Sequence, residues 1–142
     1  MVELRLEIEE PPTPESRQRL VDRLLGHFAE EFGDPQFRSV GLFLRSGEDE
    51  LAAGLIGRMR WGWLYVETLW VARHLRGTGL GSRLLQEAER YARAHGGVAA
   101  HLECGVDALR FYERRGYEVV GIMDGFPVHA DRQHHLRKWL GP

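Results

Sequence analysis

Apolar and polar residues alternate from Val2 to Glu9, with Val2, Leu4, Leu6 and Ile8 on one side and Glu3, Arg5, Glu7 and Glu9 on the other. A period of two predicts a strand with one buried face. After the turn Pro11-Pro12-Thr13-Pro14 the period lengthens. Thr13 as N-cap and Pro14 at the first helical position start a helix that runs to about Phe32, with Leu20, Leu24, Leu25 and Phe28 facing inward, and Gly33-Asp34-Pro35 stops it. Phe37 to Arg45 and Leu51 to Arg60 read as a hairpin about Ser46-Gly47-Glu48-Asp49, and Trp61-Gly62-Trp63 turns the chain into a third strand that ends at Val71. Leu80, Leu84, Leu85, Ala88 and Ala92 then recur at steps of three and four, one face of a helix that Gly96-Gly97 closes. A short strand, Val98 to Cys104, precedes a helix carrying Phe111 and Tyr112. Tyr117 to Met123 and Arg132 to Leu140 form a closing antiparallel pair around Asp124-Gly125-Phe126-Pro127. The order β-α-β-β-β-α-β-α-β-β predicts an α/β fold with a sheet of mixed direction.

With 142 residues the chain fits one domain with a real core. Its net charge of −2 argues against nonspecific nucleic-acid binding or a polybasic membrane contact. No apolar run approaches the ~18 residues of a membrane span, and the acidic start is not a signal peptide, so a cytoplasmic protein is expected. The one cysteine, Cys104, allows no intrachain disulfide and supplies no metal cluster. His129, His134 and His135 lack a ligand partner at a recognised spacing. His134 and His135 also point to opposite faces of one strand; both are read as surface or substrate-groove residues, and no metal is expected. His101 and Cys104 differ in parity as well, so Cys104 is read as a buried, inert thiol. Trp61, Trp63 and Trp70 are read as core or dimer-contact aromatics, which leaves a homodimer open.

The chemistry concentrates in Arg76-Gly77-Thr78-Gly79-Leu80-Gly81, between the aromatic strand and the helix. A helix start presents N–H groups without intrahelical partners and a partial positive charge, both suited to phosphate. Glycines let that backbone approach an anion, and Arg76 adds a planar fork of donors. A Walker A loop is excluded, because the sole lysine is Lys138, and the spacing is not G-x-G-x-x-G either.

The spacing Arg-x-x-Gly-x-Gly after a strand resembles the coenzyme A loop of the GNAT superfamily of N-acetyltransferases. A second block, Ala108-Leu109-Arg110-Phe111-Tyr112-Glu113-Arg114-Arg115-Gly116-Tyr117, is similar to that family's A-x-x-F-Y-E-x-x-G-F/Y segment. The resemblance implies a single N-acetyltransferase domain over 1–142, in the α+β manner: a mixed, mostly antiparallel sheet flanked by helices. It also implies acetyl-CoA as donor cosubstrate and a primary amine of a small molecule or protein as acceptor. The coenzyme would lie on Arg76, Gly77, Thr78, Gly79, Leu80, Gly81 and Ser82. Its pantetheine arm would pair with the main chain of Leu69, Trp70 and Val71, where a bulge near Leu69 would aim an N–H at the thioester oxygen.

Acetyl transfer needs a neutral amine, and an alkyl amine with pKa ~10.4 is almost wholly protonated at neutral pH. Glu67, an acid within an apolar strand, is the expected base; there a carboxylate would be partly desolvated and its pKa raised. Pairing with Arg58 or Arg60 is the structural alternative. Tyr112 matches the family tyrosine that returns a proton to the leaving thiolate, against the alternative of a core aromatic. Members of the family often carry an asparagine before the Phe-Tyr helix; here Cys104-Gly105-Val106-Asp107 stands instead, with Asp107 read as the N-cap. A silent acyl-CoA-binding or sensing module is the competing function.

Overall fold

The structure, a computed structural model, describes residues 2–141. The described chain divides into two compact units, one ending at Pro35 and the other beginning at Gln36.

In the first unit the helix forms as its punctuation predicts. α1 spans Pro14–Phe32, with Pro14 in its first turn and Thr13 accepting the Ser16 N–H at 3.0 Å. Glu9 reaches back to the same turn and takes the Thr13 N–H and the Ser16 hydroxyl; these bonds hold its carboxyl below the usual range. Two expectations fail here. Val2 to Glu9 forms no strand, and its four apolar side chains are 80–88% exposed. No residue of α1 is buried: Leu20 and Leu24 are exposed, and Leu25 and Phe28 are half-buried. The physical reason is that alternation fixes which side chains share a face, whereas a strand exists only where a ladder partner lies beside it.

The second unit is a six-stranded sheet with two helices. Its strands are β1 (Arg38–Arg45), β2 (Leu51–Arg60), β3 (Trp63–Val71), β4 (Ala99–Gly105), β5 (Glu118–Asp124) and β6 (Arg132–Trp139), in the order β1-β2-β3-β4-β6-β5. Every neighbouring pair is antiparallel except β3 and β4, which run parallel. The mixed, mostly antiparallel sheet is therefore as expected. The β2–β3 hairpin turns on Trp61 and Gly62, with φ of 51° and 75°, the two positive values that a tight hairpin of matching twist requires. α2 (Leu80–Ala94) packs on β2 and β3, and α3 (Val106–Glu113) packs on β4 and β6.

One face of the sheet carries the core. Leu55 and Met59 of β2, Leu64 and Val66 of β3, Leu102 of β4 and Leu136 of β6 meet Leu84, Leu85, Ala88 and Ala92 of α2 and Tyr112 of α3. Within this layer Glu89 is buried, accepting from Lys138 Nζ at 2.7 Å and from the Tyr117 hydroxyl at 2.8 Å. The opposite face stays partly open and bears Trp63, Tyr65, His101, Glu103, His135 and Arg137.

Candidate active site

Two irregularities in β3 make the site. Ile56 pairs with Thr68 and Gly57 with Val66, so Glu67 is the extra residue of a bulge. The bulge sits at Glu67 rather than at Leu69. It reverses the side-chain parity of β3, so that Leu64 and Val66 before it, and Leu69 and Val71 after it, all pack toward the same core. The second irregularity is the short β3–β4 ladder. It comprises Trp63↔Ala99, Leu64↔Ala100 and Tyr65↔His101, while β3 runs on to Val71 and β4 to Gly105. Beyond Tyr65 and His101 the two strands separate, and the facing main chain of Glu67 to Val71 is left without a ladder on that side.

The free end of β3 leads directly into the glycine loop. A short 3-10 turn, Arg73–Leu75, precedes Arg76, whose Nε donates to Val71 O at 3.0 Å and ties the guanidinium to the strand end. Gly77 and Gly79 have φ of 81° and 88°, a conformation that other residues avoid. Gly79 is the N-cap of α2, and the first helical bond runs from Arg83 N–H to Gly79 O at 3.0 Å. The N–H groups of Leu80, Gly81 and Ser82 therefore precede the intrahelical ladder, and no acidic residue lies in this first turn. A Cβ added at Gly77 or Gly79 would meet nothing within 4 Å, whereas one at Gly81 would lie 3.3 Å from the Phe111 ring and 3.7 Å from Val71. The first two glycines thus face open space. Gly81 makes room for helix packing.

Glu67 does not lie in the desolvated setting expected of it. Its side chain is 48% exposed, and Oε2 is 3.9 Å from Arg58 Nε, the pairing that stood as the alternative. Tyr112 is buried against the edges of Phe111 and Tyr117, with centroids 5.0 and 5.8 Å away. Burial, then the nearby Cys104, push its phenol up to about 12, which keeps it protonated at neutral pH. Cys104 lies in the same core, and burial, then Glu113, raise its thiol. That fits an inert thiol.

Sequence reasoning missed the position of His134. It is no surface residue: it is 6% exposed, lies directly across the ladder from Cys104, and its Nδ1 has no hydrogen-bond partner among the described residues. His135 does face the other side, as parity requires. Asp107 does not cap α3; Gly105 is the N-cap and Asp107 lies in the first turn. Trp70 is exposed rather than core, whereas Trp61 and Trp63 are half-buried, Trp63 against His101 and Trp139. Among the described residues no three His, Cys, Asp or Glu side chains gather as they would around a metal ion. No described helix is long and apolar enough to cross a membrane.

Comparison with known proteins agrees with this geometry. The family model described as acetyltransferase (GNAT) family matches residues 2–117. The chain is 34% identical over 110 residues to an acetyltransferase of Agrobacterium fabrum, a match that spans 77% of this chain and 80% of the relative. It is 42% identical over 80 residues to the blasticidin-S acetyltransferase of Streptomyces morookaense, spanning 55% of this chain and 59% of that enzyme. Among solved structures, a protein of Agrobacterium tumefaciens assigned as an acetyltransferase superposes with a TM-score of 0.83 at 28% identity, covering 98% of this chain and 99% of its own. The chain belongs to the GNAT family of acetyltransferases, and it is an acyltransferase.

Proposed function

We propose that this protein is an acetyl-CoA-dependent N-acetyltransferase, one domain over 1–142, that passes acetyl directly to a primary amine of a small molecule or a protein. The observation that carries the reading is the gap between β3 and β4, which runs from the Tyr65–His101 rung into the glycine loop. Arg76 and the backbone of Gly77 to Ser82 hold the pyrophosphate. The open space before Gly77 and Gly79 fits such a group, since a side chain there would occupy the anion's place. The main chain of Leu69, Trp70 and Val71 pairs with the pantetheine amides, as a sheet edge accepts another strand.

In this scheme Glu67 takes the ammonium proton, directly or through one water. Its half-exposed carboxylate, 3.9 Å from Arg58 Nε, is open to an incoming acceptor. Tyr112 donates to the departing sulfur. The competing reading, a module that binds acyl-CoA without turnover, is separated by one assay: acetyl-CoA consumption, read as free CoA, over polyamines, aminoglycosides, amino acids and peptide N-termini. CoA release above the hydrolysis background with an amine supports the enzyme; binding without release supports the module.

Gly79→Ala should weaken CoA binding at least tenfold in calorimetry. The new Cβ enters the open space before the amides, and a left-handed alanine costs only about 1–2 kcal/mol of stability. Undiminished affinity in the folded variant places the phosphates elsewhere. Gly81→Val is a poorer probe, because it strikes Phe111 and perturbs the fold. Glu67→Gln should lower kcat by ~10²-fold, the lower end for general bases, with CoA affinity unchanged. Part of the rate should return at high pH, where the acceptor is already neutral. Normal activity across the whole pH range would assign the proton to another group or to solvent.

A further inference from the structure

The mouth of the β3–β4 gap holds a second carboxylate that the sequence pattern did not mark. Glu103 stands two residues past the last rung on β4, as Glu67 does on β3. Tyr65 donates its hydroxyl proton to Glu103 Oε2. His135, the cross-strand neighbour of Glu103, brings Nδ1 to 3.8 Å from Oε1. The bond to Glu103, with burial second, raises the Tyr65 phenol to about 12. Tyr65 therefore remains a donor to Glu103 while its oxygen keeps lone pairs for another partner.

The surroundings separate the two carboxylates. Arg58 lies 5.2 Å from the Tyr65 ring centroid and makes its ion pair with Glu67. Among the described residues Glu103 makes no ion pair with a guanidinium; its ion-pair partner there is His135, charged only when protonated. The ring of His101 leans on Tyr65 at 4.9 Å and on Trp63 at 5.8 Å, and burial lowers its pKa, which favours the neutral form. Glu103 is thus an oriented carboxylate, with its side chain still 30% exposed, beside a phenol oxygen and against an aromatic wall. These groups accept hydrogen bonds from a cation.

We infer that Tyr65 and Glu103 form the docking point for the acceptor's ammonium group, with His135 holding the far side of the carboxylate. This rests on the acetyltransfer reading and names its substrate class: amines that arrive as alkylammonium ions. One ammonium N–H meets the Tyr65 oxygen and another the Glu103 carboxylate, while Glu67 across the gap takes the proton. Binding and deprotonation thus fall to different carboxylates. Because Tyr65 already fixes Glu103, little ordering is lost when the cation arrives.

The test compares n-butylamine, a cation at pH 7, with hydroxylamine, largely neutral there, at saturating acetyl-CoA. Glu103→Gln should raise KM for n-butylamine about ten- to a hundredfold, the loss of a charge-assisted bond, with kcat changed less than about threefold. KM for hydroxylamine should rise less than for n-butylamine, because a neutral amine has no ion pair to lose and can still donate a hydrogen bond to the glutamine amide oxygen. Tyr65→Phe keeps the ring under Arg58 and should raise KM for n-butylamine in the same direction but less. CoA affinity measured on each variant reports an intact fold. An unchanged KM for n-butylamine, or an equal rise for both amines, overturns the ammonium site while leaving acetyltransfer standing. A parent protein that binds CoA yet acetylates neither of these amines nor any amine of the wider panel overturns the acetyltransfer reading and this inference with it.

Discussion

Tyr112→Phe should slow the acetyl-transfer step by about a hundredfold, near the lower end of the range for general acids. Phenylalanine keeps the ring edges that pack on Phe111 and Tyr117, so the fold and the coenzyme affinity should survive. The modest size follows from the site. With the phenol near 12, full proton transfer to a thiolate of pKa ~8.5 is uphill by roughly 5 kcal/mol. In the proposed scheme Tyr112 would therefore help by donating a hydrogen bond as charge builds on sulfur, with the proton following late. Thioesters whose leaving thiols differ in acidity provide the check: the variant should lose least with the most acidic thiol, which departs readily unaided. An equal loss for every thioester would reduce Tyr112 to a positioning residue. The sign of the pH dependence is also fixed. The donor form exists below about 12 and is lost only as pH rises through that value, so no descending limb due to Tyr112 should appear by pH 10.

The largest stability effect should come from Lys138→Met. Lys138 neutralises Glu89, which is only 4% exposed and lies against the hydroxyl of Tyr117. Burial, then Glu89, raise the Tyr117 phenol and keep it a donor. Removing the ammonium leaves a buried carboxylate with Tyr117 and the more distant Arg93 at 4.0 Å. Breaking a buried pair in this way costs about 3–5 kcal/mol, and the remaining partners favour the lower end. For a chain of this size that is roughly 10 °C in Tm. Adding Glu89→Gln should recover part of the loss, because the orphaned charge is gone. A double variant as unstable as the sum of the two single changes would show that Glu89 and Lys138 are not coupled.

These two residues show how legibility varies along the chain. Tyr112 is marked in the sequence by its motif, while its burial against Phe111 and Tyr117 is seen only in the fold. Lys138 was noted only as the sole lysine that rules out a Walker loop, and nothing in its neighbourhood in sequence points to Glu89, 49 positions away. The Cys104–His134 juxtaposition was hidden for the same reason, since it depends on the register of β4 with β6. The Tyr65–Glu103–His135 cluster likewise joins three strands whose separation in sequence says nothing of their pairing.

By itself, the sequence determined the elements that local forces govern. Thr13 and Pro14 start α1, Gly79 opens α2, Trp61-Gly62 closes a hairpin, and the period of Leu84, Leu85, Ala88 and Ala92 selects the face that α2 buries. It also carried the family, through Arg76 to Gly81 and Ala108 to Tyr117. Tertiary structure decided what needs a partner. Val2 to Ile8 has the right alternation yet no ladder, and α1 has an apolar face yet no buried residue. Glu67 sits inside an apolar run, but the bulge against Ile56 and Gly57 turns it out toward Arg58. The gap itself exists because β3 and β4 pair for three rungs and then diverge. Periodicity and capping act over a few residues and can be read from their order. Burial, register and the splaying of strands depend on which distant segment lies alongside, and only the folded chain settles that.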